Sequence, residues 1–212
     1  MAYFKDPVSA LTHLVALIFC IPVTVFLILK AVFSATVWHV IGFSVFGAAL
    51  ILLYAASTFY HMLKVSERSS KLLRKIDHMM IFVLIAGSYT PICLTALRGV
   101  WGYTLLALVW PIAILGIVFK IFFINAPSWL TSGIYLFMGW IVIIAFVPLI
   151  KTLEAGGFLM LLLGGLAYTV GGIIYALKKP NLNFIKFGFH EIFHVFVMLG
   201  SFFHILLMFL FL

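Results

Sequence analysis

Seven long apolar runs divide the chain, and they constrain its fold more than any other feature of the sequence. The runs lie at about 10–32, 38–63, 77–97, 101–122, 129–150, 156–177 and 189–211. A helix needs roughly 20 apolar residues to cross the hydrocarbon core of a bilayer, and each run has about that length. Backbone groups in lipid must bond internally, and the runs lack the alternating pattern of barrel strands, so we predict α-helices.

The composition agrees with a membrane protein. Hydrophobic residues make up 66% of the sequence and charged residues 8%, which leaves too little polar surface to cover a soluble globule of 212 residues. The first run is too long for the apolar part of a cleaved signal peptide, so we expect it to be retained. The sequence therefore predicts an all-α membrane protein whose single domain, residues 1–212, is a bundle of seven transmembrane helices.

Positive charges are distributed unequally between the two sides of the predicted bundle. One side carries ten of the thirteen, namely Lys5, Lys64, Arg68, Lys71, Arg74, Lys75, Lys120, Lys178, Lys179 and Lys186. The other side carries Lys30, Arg98 and Lys151. By the positive-inside rule we expect a multi-pass protein of the cell membrane with a cytoplasmic N-terminus and an extracytoplasmic C-terminus. The same distribution accounts for the net charge of +8 without a nucleic-acid partner, and we interpret the basic run 64–75 as a topogenic loop against anionic lipid.

Histidines on separate predicted helices are expected to meet at one depth of the membrane. His190 and His194 are one helical turn apart at the start of the last run, so they share a helix face. His61 lies near the expected cytoplasmic end of the second run and Asp77 at the start of the third. One buried histidine is more often a hydrogen-bonded core residue than a ligand. Four such groups at matching depth favour a functional site, because buried ionisable groups are costly in a membrane.

The donor set predicts a zinc site. Three imidazoles, from His61, His190 and His194, suit Zn²⁺ and leave a fourth position open to water, as in catalytic sites. Asp77 could hold or deprotonate that water, whose pKa zinc lowers to about 7. Ser57, one turn from His61, could bond the water or Asp77, or could instead bond back to the carbonyl four residues earlier.

Residues 190–194 also spell His-Glu-x-x-His, the helix signature of zinc metalloproteases in which the glutamate is the general base. The competing interpretation of Glu191 is an interfacial charge near a helix N-terminus, where the helix dipole favours an anion. We favour the second interpretation and assign Glu191 no role in the chemistry.

These blocks together closely resemble the progestin and adipoQ receptor family, in its bacterial hemolysin III-like branch. The resemblance lies in Ser57-x-x-x-His61 within 53–61, Asp77-His78-Met79-Met80-Ile81-Phe82, the block 86–91, and residues 190–200 with their two histidines. It implies a seven-helix protein with its N-terminus inside and zinc held by His61, His190 and His194, with Asp77 and Ser57 beside the water. Relatives in this group, including adiponectin receptors and alkaline ceramidases, are associated with hydrolysis of lipid amides.

Helix 1 departs from the family's pattern. Bacterial relatives often have asparagine before the Thr-His pair, where this chain reads Ser9-Ala10-Leu11-Thr12-His13, which argues against a contribution of helix 1 to the site. His13 is expected either to support the site or to make a packing hydrogen bond. The long N-terminal extension of the adiponectin receptors is absent, which argues against their hormone-receptor role.

The remaining histidines are expected to lie outside the zinc site. His78 should point about 100° away from Asp77, and His204 should stand several helical turns farther outward than His190, too distant for the same ion. His39 is expected near the outer surface. In the sixth run, the glycine pairs at 156–157, 164–165 and 171–172 predict close helix packing.

Three functional hypotheses follow. The first is zinc-dependent hydrolysis of a lipid amide or ester that enters between helices, with Asp77 as base and the membrane lipid as substrate. The second is a non-enzymatic sensor or regulator of membrane state, in which zinc only ties helices 2 and 7 together. The third is a pore-forming cytolysin, which the lack of a polar stripe along any predicted helix disfavours.

Overall fold

The computed structural model describes residues 4–180 and 187–212, and its architecture is a bundle of helices. Lys186, counted above among the positive charges, lies outside the described residues. The elements are α1 (Pro7–Ser34), α2 (Val37–Met62), α3 (Glu67–Leu94), α4 (Val100–Phe122), α5 (Ser128–Trp140), a 3-10 helix (Ile141–Ala145), α6 (Phe146–Thr152), α7 (Ala155–Leu177) and α8 (Phe189–Leu210). They form seven spans long and apolar enough to cross a membrane, with α5, the 3-10 helix and α6 making up the fifth. The predicted all-α, seven-span fold is confirmed.

The third helix begins ten residues before its predicted start at residue 77. Ser66 is its N-cap and accepts a hydrogen bond from the Ser69 N–H at 3.3 Å, and Glu67 places an anion in the first turn, where the helix dipole favours it. The basic run from residue 67 onward is therefore helical, and its interpretation as a loop was wrong. The prediction was based on the length of the apolar run. It missed the first turns of α3 because those turns are charged, although they belong to the same helix.

The fifth span is not the continuous helix predicted over 129–150. The Tyr89 hydroxyl enters its backbone ladder, donating towards the carbonyls of Met138 and Gly139 at 3.1 and 2.7 Å. The same oxygen accepts the N–H of Val142 at 2.9 Å. In an uninterrupted α-helix the Val142 N–H would bond to the Met138 carbonyl. A side chain inserted into that ladder is a recognised cause of a break, and the 3-10 segment begins at this point.

Close packing of α7 against α8 depends on glycine on both helices. A Cβ on Gly164 would lie 2.4 Å from the His204 ring, and one on Gly200 would lie 2.6 Å from the Tyr168 ring. Each glycine therefore makes room for a ring of the opposite helix. The prediction of glycine-mediated packing holds at all three pairs, for Gly156, Gly157, Gly164, Gly171 and Gly172, whereas a Cβ on Gly165 would meet nothing within 4 Å.

One end of the bundle gathers the helix termini that carry the candidate site. The N-terminal segment runs beside the end of α2, where the N–H of Lys5 donates to the Met62 carbonyl at 3.3 Å and that of Asp6 to the His61 carbonyl at 2.9 Å. α1 also packs against α8, and α2 packs against α3. The polar first turns of α1, α3 and α8 thus surround the end of α2.

Candidate metal centre

Three histidines meet where α2 ends and α8 begins. One ring nitrogen from each of His61, His190 and His194 lies within 4.8 Å of the other two. His61 is 3% exposed and His194 is 2% exposed, so the cluster is closed to solvent on most sides. The structure brings together the three residues that the sequence predicted as ligands.

The separations suit a small cation. The Nε2 atoms of His61 and His190 lie 3.1 Å apart. Two nitrogens bound to one tetrahedral zinc at 2.0–2.1 Å lie about 3.3 Å from each other. This pair is therefore spaced as two ligands of one ion would be, and His194 completes a group of three nitrogen donors.

Asp6 orients the imidazole of His61. Its Oδ2 lies 3.0 Å from His61 Nδ1. An ionised carboxylate only accepts hydrogen bonds, so Nδ1 carries the proton and the lone pair of Nε2 faces the cluster. A carboxylate on the far nitrogen of a ligating histidine is the usual arrangement around protein-bound metals, because it holds the ring and raises its basicity.

Thr12 orients the imidazole of His194 through a hydrogen bond at Nδ1. The Thr12 hydroxyl donates its proton to the Ser9 carbonyl at 2.9 Å, and its oxygen lies 3.2 Å from His194 Nδ1. The hydrogen-bond pattern therefore assigns the proton of His194 to Nδ1, which leaves the lone pair of Nε2 available to a metal ion. Both rings thus have a hydrogen-bond partner at Nδ1.

Helix α1 is part of the site, and the expectation that it would not contribute was wrong. Besides Asp6 and Thr12, it supplies His13, whose ring stacks on His194 with centroids 3.6 Å apart and planes 7° from parallel. The predicted alternative for His13, a packing hydrogen bond, is not found within the described chain, where both of its buried nitrogens have no partner. A signal was present in the sequence: Asp6, Ser9, Thr12 and His13 fall on one face at the start of α1, where the other residues are apolar.

Glu191 caps the helix that carries two of the histidines. Its Oε2 accepts the Gly188 N–H at 2.9 Å and its Oε1 accepts the Ser9 hydroxyl at 2.7 Å. It is not among the residues that line the cavity beside the histidines. These contacts agree with an anion at a helix N-terminus. They hold the Glu191 carboxylate outside the cavity, where it does not have the position of a metalloprotease general base.

A small cavity lies beside the histidine cluster. It has a volume of about 40 Å³, and its wall includes His190, His194, Asp77 and Ser57. Asp77 is 8% exposed and Ser57 is 1% exposed. The predicted alternative for Ser57, a bond back along α2, is not observed; within the described residues its Oγ makes no backbone hydrogen bond, and its neighbour is the Asp77 carboxylate. A buried hydroxyl of this kind is available to a water molecule or to the neighbouring carboxylate.

Two further polar side chains line the cavity, and the sequence did not predict them there. His78 has a buried Nδ1 and Ser132 a buried Oγ, both without a partner in the part of the chain described. His78 is not one of the three clustered histidines, as expected. His204 is separate from the site, as expected, and its Nδ1 lies 2.9 Å from the Gly200 carbonyl oxygen.

Comparison with known proteins identifies the family of this chain. Residues 1–205 match the family described as Haemolysin-III related. The chain belongs to this family. Among its relatives, "Hemolysin-3 homolog" of Bacillus subtilis (strain 168) is 44% identical over 197 residues, 93% of this chain and 89% of the relative. "Hemolysin-3" of Bacillus cereus is 40% identical over 197 residues, 93% of this chain and 87% of the relative.

The haemolysin-III-related match includes every residue of the candidate site, from Asp6 to His194. The resemblance stated from the sequence motifs is confirmed at the level of this family. Together with the seven spans, it makes the chain a multi-pass protein of the cell membrane.

Proposed function

We propose that this haemolysin-III-related protein binds zinc at His61, His190 and His194 and hydrolyses a lipid amide or ester. One observation carries the proposal: three histidine nitrogens converge beside a buried cavity whose wall also contains the carboxylate of Asp77 and the hydroxyl of Ser57. Three nitrogen ligands with space beside them are typical of catalytic zinc, whereas structural zinc is usually held by four protein ligands.

The protein's own groups fit this chemistry. A bound zinc ion would lower the pKa of a coordinated water to about 7 and polarise an acyl carbonyl. Asp77 would take the proton of the attacking water and return it to the leaving nitrogen or oxygen. Ser57 would hold the water or the Asp77 carboxylate in place, since it has no other described partner. Leu53 and Val197, which also line the cavity, exclude bulk solvent.

The substrate class follows from the surroundings. A cavity of about 40 Å³ has room for on the order of three water molecules. A lipid chain does not fit in it, so in this proposal the acyl group enters by parting the helices that face the bilayer. The scissile bond would lie near the end of α2 and the start of α8, at the depth where lipid amides and esters join their headgroups.

Metal content tests the first half of the proposal. Purified wild-type protein should contain one zinc per chain by elemental mass spectrometry, and His61→Ala, His190→Ala and His194→Ala should each lose it. His39→Ala removes a histidine elsewhere and should keep it. Zinc that persists in all three cluster variants would refute the assignment.

Product formation tests the second half. Zinc-loaded protein in vesicles should release fatty acid from an N-acyl lipid or an acyl ester, detected by mass spectrometry. Asp77→Asn should keep its zinc and lower the rate by about 100- to 10,000-fold, the usual effect of losing a general base. Ser57→Ala should keep zinc and lose part of the rate. No product from any acyl lipid, with zinc saturating, would refute hydrolysis while leaving the metal site intact.

A second candidate is a non-enzymatic regulator in which the metal only holds helices together. It is favoured by the origin of the residues, because the histidines come from α2 and α8 and their partners from α1. In that case removing zinc would lower the thermal midpoint strongly, and Asp77→Asn would leave the cellular function unchanged.

A third candidate comes from the name of the relatives, "Hemolysin-3". If this chain permeabilises membranes, purified protein should release dye from liposomes, and Asp77→Asn should release it equally well. Absence of leakage at a protein-to-lipid ratio that yields hydrolysis would exclude this candidate.

A further inference from the structure

A groove separate from the histidine cavity lies between the start of α3 and the connection from α4 to α5. It has a volume of about 490 Å³ and shares no lining residue with the cavity. Its wall includes Lys71, Lys75, Phe119, Phe122, Phe123 and Asn125. A volume of this size is within the range of small-molecule sites, about 300–1,000 Å³.

Two ammonium groups lie on one wall of the groove. Lys71 and Lys75 are one turn apart on α3, so their side chains share a helix face. Lys75 Nζ donates to the Ile121 carbonyl at 2.5 Å, which holds this amine at the end of α4. No acidic side chain lines the groove in the described ranges. The lining of the groove is therefore positively charged.

Aromatic rings also line the groove. Phe122 is 73% exposed and Phe123 is 60% exposed. Trp129, on the first turn of α5, is 66% exposed, and tryptophan at the end of a span is typical of the headgroup region. Amines beside exposed apolar rings at this depth match a molecule with an anionic head and an apolar body.

We propose that this groove binds an anionic phospholipid, with its phosphate at Lys71 and Lys75 and its first chain carbons against Phe122 and Phe123. A neutral or zwitterionic lipid would leave the two amines without a net counter-charge. A free phosphate would leave the aromatic wall unused. The proposal is independent of the metal centre, because none of these residues contacts the histidine cluster or its cavity.

The expected effect is set by the two charges. A basic side chain near an anionic lipid surface contributes about 1 kcal/mol, or about fivefold in affinity. Lys71→Gln should therefore weaken retention of phosphatidylglycerol by about fivefold, and Lys71→Gln/Lys75→Gln by about 25-fold. Since Lys75 also bonds α4, the single Lys71→Gln variant tests the charge while leaving that bond intact.

The experiment uses full-length protein and native mass spectrometry after exchange into mixed phosphatidylglycerol and phosphatidylcholine. Wild type should retain phosphatidylglycerol, with a rise in its thermal midpoint that phosphatidylcholine does not produce. Lys178→Gln/Lys179→Gln, which removes the same charge from the segment after α7, should behave as wild type. Inorganic phosphate at equal concentration should not displace the lipid.

Three results would overturn the proposal. Equal retention of phosphatidylcholine would show that charge does not select the occupant. Equal loss in Lys178→Gln/Lys179→Gln would show that net charge, and not this groove, attracts the lipid. Displacement by inorganic phosphate would show an anion site that does not use the aromatic wall.

Discussion

Replacing Asp6 with alanine separates support of the metal ligand from ligation itself. The change removes the carboxylate that bonds His61 Nδ1 at 3.0 Å. It leaves the backbone bond from the Asp6 N–H to the His61 carbonyl in place. Asp6 occupies the N-cap of α1 but makes no side-chain cap bond there, so the helix itself loses little. The main expected effect is a weaker hold on zinc.

The magnitude follows from the exposure of Asp6. Loss of a residue that supports a metal ligand typically lowers metal affinity by about 10- to 100-fold. The Asp6 side chain is 44% exposed and lies 3.8 Å from Lys5 Nζ, so water and a competing cation weaken its interaction with His61. We therefore expect a loss at the lower end of this range, a decrease in zinc affinity of about tenfold, or about 1.4 kcal/mol. Asp6→Asn keeps a carbonyl acceptor and should fall between wild type and Asp6→Ala.

The assay is chelator competition on zinc-loaded protein in micelles, with the remaining metal measured by elemental mass spectrometry. Glu67→Gln is the matched control, since it removes one exposed carboxylate from the first turn of α3. Thermal unfolding of the metal-free variants shows whether the fold itself has changed. Unaltered affinity in Asp6→Ala, or an equal loss in Glu67→Gln, would refute the role assigned to the Asp6–His61 bond.

Three further outcomes are expected. Tyr89→Phe removes the hydroxyl that hydrogen-bonds to the backbone at the break in the fifth span, and it should lower the free energy of unfolding by about 1–3 kcal/mol. Tyr103 is 48% exposed, so Tyr103→Phe should have no effect on the thermal midpoint. Gly164→Ala should lower the free energy of unfolding by about 1–3 kcal/mol because its Cβ overlaps the His204 ring. Gly165→Ala should change it by no more than about 0.5 kcal/mol, and equal thermal midpoints for the two variants would contradict the packing account. Zinc retention should fall as pH is lowered, because protons compete with the metal for imidazole nitrogen, and a pH-independent metal content would exclude histidine ligation.

The histidine cluster could be predicted because its geometry is largely local. His190 and His194 are four residues apart on one helix, so their common face follows from helix geometry alone. His61 could be added because the depth of a residue along a span can be counted from the end of an apolar run. The chemistry of imidazole then suggested the metal.

The partners of those histidines could not be predicted in the same way. The bond from Asp6 to His61 joins residues 55 apart in sequence, and that from Thr12 to His194 joins residues 182 apart. Hydropathy records how deep a residue lies, but not which helix stands beside it. The contribution of α1 was therefore missed, although its polar residues fall on one face.

Local patterns alone determined the membrane class, the number of spans and the layer in which the histidines lie, because bilayer thickness and helix pitch impose the same lengths on every such chain. Only the tertiary structure decided which nitrogen of His61 and of His194 is available to a metal, and where Tyr89 interrupts the fifth span. These features depend on the packing of helices that are distant in sequence, and the arrangement of neighbours is set by side-chain shape over the whole bundle.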